Sequence, residues 1–206
     1  MEQYLTQFPV ASTIFVLTLI TTIMAFSNET LYGKLMLHPY SVSKGKYLYT
    51  IITSGLIHKD WMHLAFNMLS FYFFAFQLEG IIGHWQFAVL YVLSLILSDI
   101  PSILKHKNDF WYHSLGASGA ISAVIFSYIL FSPMSKMMII PIPIPIPAII
   151  FGVLYLVYCT YASKHSQDAI NHDAHLFGAL SGMFITIILF PGVVPYFFGQ
   201  ISAAIR

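Results

Sequence analysis

Residues 110–135 read FWYHSLGASGAISAVIFSYILFSPMS, and no Lys, Arg, Asp or Glu falls between Asp109 and Lys136. In hydrocarbon a backbone must satisfy its own hydrogen bonds, so a chain crosses a bilayer as a helix or as part of a closed barrel. Apolar residues run continuously here rather than alternating with polar ones, which selects a helix. A crossing takes roughly 20 mostly apolar residues, and this stretch supplies one near 116–132.

Outward from it the pattern repeats. Residues 3–28, 61–78, 80–98, 137–163 and 174–205 are also free of the four charged residue types. The spacing predicts helices near 9–26, 60–78, 86–104, 116–132, 147–162 and 174–190. The expected fold is an all-α membrane protein, a six-transmembrane-helix bundle forming one domain over 1–206. Composition agrees, with 58% hydrophobic and 8% charged residues, against about 25% charged in an average soluble domain. Nine Lys+Arg and eight Asp+Glu cannot cover a water-facing surface. An ordinary soluble globular protein and a disordered chain are both excluded. The formal net charge of +1 gives no sign of a nucleic-acid partner. The single cysteine, Cys159, excludes an intramolecular disulfide framework and a multi-cysteine metal cluster. The first stretch lacks a basic leader and a small-residue cleavage pattern, so it reads as a retained helix.

The connections differ in character. Residues 27–57 exceed a plain connector and should carry structure of their own. Gly80 and Gly83 mark a tight turn, and polar residues 105–115 lead straight to Gly116. The run Pro141-Ile-Pro-Ile-Pro-Ile-Pro147 cannot be helical inside; it is expected to be an extended, polyproline-like spacer.

Polar groups inside spans are costly and usually functional. His63 and Asn67, four residues apart, project from one helical face. Ser70 and Gln77 continue that face, which should look inward. His58, five residues before His63, lies about 140° round a helix and belongs to its entrance. Ser118 sits between Gly116 and Gly119 at a helix start, where glycines permit close approach and the helix terminus favours developing negative charge. His175 precedes Gly178 and Gly182, a small-xxx-small pattern that lets helices touch through their backbones. Small residues of this kind also serve helix packing alone. Together, however, the three segments supply a nucleophile, a general base and oxyanion donors, the parts of acyl transfer. No two carboxyl groups share a helix face at mid-membrane depth, and no His-Glu-x-x-His motif is present.

His-x4-His-x3-Asn at 58, 63 and 67, Gly-x-Ser-Gly at 116–119 and His-x2-Gly-x3-Gly at 175, 178 and 182 resemble the motifs of the rhomboid intramembrane serine proteases, in the family's order. The resemblance implies an endopeptidase with a Ser118–His175 dyad and no acidic third member. It implies an oxyanion hole of His63, Asn67 and the Ser118 N–H, with His58 in support. It implies a first loop bracing the site, a fifth helix gating substrate, transmembrane protein substrates within the lipid bilayer, and no metal or organic cofactor. A bacterial inner membrane is the expected location. Two features depart from the family. The only arginine is Arg206, so the first loop has no Trp-Arg pair, and Ser122 stands where many relatives carry an aromatic residue under the histidine ring. The rival reading is a zinc-dependent membrane hydrolase or cation transporter liganded by His58, His63 and His175. The family arrangement puts seven lysines (34, 44, 46, 59, 105, 107 and 164) on the outer side, against the positive-inside tendency.

Overall fold

The structure, a computed structural model, describes residues 2–139, 142–166, 168 and 170–205. Helices form at each of the six predicted stretches: α1 Pro9–Phe26, α2 Trp61–Ile82, α3 His84–His106, α4 Ser118–Phe131, α5 Ala148–His165 and α6 His172–Leu189. Of these, α1, α2, α3 and α6 are long and apolar enough to cross a bilayer. The fifth, α5, has Lys164 and His165 in its last turn. The fourth, α4, has only 14 residues. A further helix, α7 Val193–Ile205, follows Pro191-Gly192, and a short one, Glu2–Gln7, precedes α1.

Local chemistry sets the boundaries. Asp60 is extended and its side chain accepts from the His63 N–H at 2.8 Å, so α2 starts after it. Gly83, at φ +89°, reverses the chain between α2 and α3. Gly116, at φ +115°, delays α4 to Ser118.

The middle of the molecule is α4, buried on nearly every side. Helix α6 packs along it most extensively, and α2 and α3 complete its surroundings. Helices gain no hydrophobic drive from one another in lipid, so contact depends on small residues and hydroxyls. The Ser127 hydroxyl donates to the Gly182 carbonyl at 3.1 Å, and Thr186 Oγ1 donates to Ser127 Oγ at 2.8 Å.

One expectation for the connections holds and two others need adjustment. The loop 27–57 carries short helices at Glu29–Leu35, Pro39–Val42 and Thr50–Thr53, then a 3₁₀ turn at Ser54–Leu56. The proline run is extended but paired rather than free. Strand β1, Lys136–Ile139, meets β2, Ile142–Pro147, antiparallel, with Met137 opposite Ile146 and Ile139 opposite Ile142. Successive N–H groups of a strand point to opposite edges. Prolines at 143, 145 and 147 therefore remove donors from one edge only, and the isoleucine donors face the partner. Pro141 lies outside the described residues. Gln77, finally, is exposed and donates to the Phe73 carbonyl at 2.7 Å. At 100° per residue it has drifted about 80° from Asn67 and leaves the inward face.

At the far end of α2, Glu79 is fully buried. Its two carboxyl oxygens accept from the N–H groups of Val10 and Ala11 at 3.1 and 2.7 Å, and His84 Nδ1 lies 2.7 Å from one of them. A side chain of α2 thus caps the start of α1. Glu79→Ala strands these donors and should cost about 1–3 kcal/mol. The expected result is a lower unfolding midpoint for the detergent-solubilised protein.

Candidate active site

Ser118 is the first residue of α4 and is half-buried. The segment before it is strapped to the first loop. Leu37 and Ser114 exchange two backbone hydrogen bonds, at 2.9 and 3.0 Å, and the Gly116 N–H donates to the Ser54 carbonyl at 2.9 Å. Glycine is required at 116 twice over. Its φ is left-handed, and an added Cβ would lie 2.7 Å from His63 Cε1 and 3.0 Å from Nε2. The His63 ring therefore lies against the backbone two residues ahead of Ser118.

The polar residues of α2 are fixed around that ring. His63 Nδ1 accepts from the Lys59 N–H at 3.4 Å, which leaves the proton on Nε2, the edge near Gly116. Asn67 is buried and spends one amide N–H on the His63 carbonyl at 2.9 Å, keeping its second donor. His58 is fully buried, and its ring meets His63 edge-on with centroids 5.0 Å apart. It precedes the helix, so the 140° divergence expected on a continuous helix does not apply. The Thr22 hydroxyl gives its proton to the Leu56 carbonyl at 3.0 Å, so His58 Nδ1–H donates to Thr22 Oγ1 at 3.1 Å.

His175 is half-buried on the first turn of α6. A Cβ on Gly178 would collide with the carbonyl of Gly119, and one on Gly182 with the carbonyl of Ala123. A Cβ on Gly119 would meet Ser98 of α3 and approach the Ala174 carbonyl to 3.3 Å. The neighbours of Ser118 and of His175 are thus in contact, and the two helices cross backbone to backbone beside both. An aromatic ring does face His175, and it comes from α5. Tyr155 stacks at 6.3 Å between centroids and 18° between planes. Its hydroxyl is 2.7 Å from Ser122 Oγ. The position lacking the aromatic residue anchors one supplied by another helix.

Sequence reasoning missed Tyr155, and it missed Asn171. Asn171 caps α6 by accepting from the Ala174 N–H at 3.0 Å, and its amide donates to Ser102 at 2.7 Å and Ser114 at 3.3 Å. One side chain joins α6, α3 and the approach to Ser118. An asparagine before a helical run is a readable cap signal; its two distant partners leave no trace in the sequence. His58, His63 and His175 do not form a converging ligand set. Among the described residues the group that does converge is Cys159, His172 and His175. His172 Nε2 is 3.1 and 3.2 Å from the oxygens of Asp168. Hydrogen bonds from Ser166, the Ile170 N–H and His172 hold the Asp168 carboxyl down at about 2.

This arrangement defines an integral, multi-pass helical membrane protein with polar machinery inside the bundle. A family model described as the rhomboid domain matches residues 45–192, and the chain belongs to the rhomboid family. The rhomboid protein YdcA of Bacillus subtilis is 30% identical over 150 residues, covering 71% of this chain and 69% of that protein. Rhomboid protein 1, mitochondrial, of Saccharomyces cerevisiae is 28% identical over 146 residues, covering 65% of this chain and 40% of the relative. RHOMBOID-like protein 12, mitochondrial, of Arabidopsis thaliana is 24% identical over 169 residues, covering 75% and 50%. The chain spans half or less of the length of these two mitochondrial relatives.

Gly178→Ala tests the crossing. The added methyl meets the Gly119 backbone, which cannot swing aside as a side chain would. Overpacking of this kind costs about 1–3 kcal/mol, so the variant should unfold at lower temperature. Gly192→Ala, in open space, should not.

Proposed function

We propose that this chain is an intramembrane serine endopeptidase in which Ser118 is the nucleophile and His175 the general base. The observation that carries the reading is the Gly119–Gly178 crossing, which sets the serine-bearing start of α4 beside the histidine-bearing turn of α6. Ser118 Oγ attacks the scissile carbonyl while neutral His175 takes its proton, later passing it to the leaving amine. The tetrahedral oxyanion is held by His63 Nε2–H, the free Asn67 N–H and the unpaired amides at the start of α4. Gly116 supports this by admitting the His63 ring, as does His58 by bracing it. Tyr155, anchored on Ser122, limits the tilt of the His175 ring.

The reading includes a single bundle of six spans, with α4 the short central one. Its 14 residues extend about 21 Å at the usual helical rise, less than the ~30 Å hydrocarbon core. Ser118 then lies below the membrane surface at the foot of a polar connector, where water can reach it. Substrates are transmembrane proteins whose helices unwind locally to expose a carbonyl, and no cofactor takes part.

The test is covalent labelling and cleavage by the detergent-purified protein with a single-span substrate. An active-site-directed fluorophosphonate should label the wild type. Ser118→Ala should abolish labelling and cleavage, and His175→Ala should reduce both severely. Asn67→Ala should lose about 10²–10³ in rate and remain folded. A Ser118→Ala variant that still cleaves would overturn the assignment. Since the base must be neutral, the rate should fall on acidification as the His175 ring takes up a proton. A flat profile with chemistry limiting would remove His175 from that role.

We further propose that residues 27–57 and Ser118 open to the noncytoplasmic side. The lysines of that face are partly neutralised: Lys105 pairs with Asp173 at 2.9 Å, and Lys44 Nζ lies 3.3 Å above the Tyr40 ring. In a Cys159→Ser background in intact cells, a cysteine at Ser43 should react with an impermeant reagent and one at Ser135 should not. The opposite pattern inverts the orientation.

A further inference from the structure

One further cluster of polar groups shares His175 with the proposed dyad. The thiol of Cys159 on α5 and one ring nitrogen each from His172 and His175 on α6 lie within 4.8 Å of one another. Cys159 is fully buried, and His172 is 4% exposed. A buried cysteine on its own is more often a small apolar filler. The state of His172 argues against that here. Its Nε2 is held by Asp168, while its Nδ1 is buried with no hydrogen-bond partner. A buried ring nitrogen left without a partner is costly and calls for an explanation. With Nε2 held by a carboxylate, Nδ1 is the nitrogen that His172 has left to offer a metal ion beside the thiol and the second imidazole.

From this geometry we infer that Cys159, His172 and His175 form a binding site for a soft divalent transition-metal ion of the zinc type, which reversibly blocks His175. Thiolate and imidazole are the donors that such ions prefer, and three protein ligands leave a fourth position for water. The three groups must draw together by about an ångström to reach zinc bond lengths. His172 and His175 are three residues apart on one helix and Cys159 faces them from the next, so side-chain rotation supplies most of that closure. A polar cavity of about 150 Å³ borders His172 and is lined also by Ser102, Tyr112, Ser163 and Asn171. On binding, the thiol proton leaves to water and both imidazoles coordinate in their neutral form. The effect on catalysis rests on the proposed role of His175, because a metal-bound nitrogen cannot accept the Ser118 proton. The binding itself does not depend on that role.

The experiment is titration of the chelator-stripped, detergent-purified full chain with Co²⁺, then displacement by Zn²⁺. One equivalent of Co²⁺ should give thiolate-to-metal charge-transfer absorption in the near ultraviolet. Because the chain has one cysteine, that absorption reports Cys159, and Cys159→Ser should remove it while leaving cleavage intact and far less sensitive to Zn²⁺. Asp168→Asn, an exposed change, should weaken the ion about 10–100-fold. Absence of the absorption in folded, Ser118-dependent protease overturns the site and leaves the proposed function standing. Tight cobalt binding with no effect of Zn²⁺ on cleavage keeps the site and overturns both the block and the role of His175 as base.

Discussion

The contact between the backbones of Gly119 and Gly178 governs the rest of the molecule. Lipid offers helices no hydrophobic reason to associate, so intimate packing has to come from van der Waals contact at close range. Two missing side chains permit it, and they fix the rotation of each helix as well as its distance. Residues adjacent to the crossing have no freedom to be elsewhere: Ser118 and Ala174 flank it on one side, Ser98 of α3 fills it from another. Deeper along the same interface the Ser127, Thr186 and Gly182 hydrogen bonds hold the register. Asn171 then ties the start of α6 to α3 and to the connector before Ser118.

Polar groups inside the bundle divide into two clusters with different jobs. Around Glu79 every strong acceptor faces a donor supplied by α1 or His84, a closed arrangement that joins helix ends. Around Ser118 the donors are only part-used. Asn67 keeps an N–H, His63 presents Nε2, and the first-turn amides of α4 are unpaired by the geometry of helices. The first cluster is saturated; the second keeps the donors that the proposed chemistry would need for a developing charge.

Much of this was legible in the chain. Charge-free runs marked where helices form, because an ion is costly in hydrocarbon wherever it occurs. The glycines near Ser118 and His175 announced a close crossing, since no other residue type allows one. Three things were not legible. Tyr155 comes from a helix whose apolar sequence fixes no rotation, so nothing local says which residue reaches His175. Gln77 followed the heptad of His63 and Ser70 on paper, but the true helical period turns it to the outside. The convergence of Cys159 with His172 depends on how α5 leans on α6, a tertiary fact with no periodic signature. The Pro191-Gly192 break before α7 was written in the sequence, yet the uninterrupted apolar composition through residue 205 masked it.

The hairpin between α4 and α5 has a property that follows from which atoms it lacks. An ordinary two-stranded ribbon ends in a row of free amide donors, an invitation to another chain. Here alternate prolines strip that row from the outer edge of β2 while the inner edge is occupied by β1. A third strand, from a substrate or from a second copy, finds carbonyls but no matching donors on that side, so half of the ladder's bonds cannot form there. The same composition that keeps the segment from becoming helix also weakens sheet growth from the β2 edge.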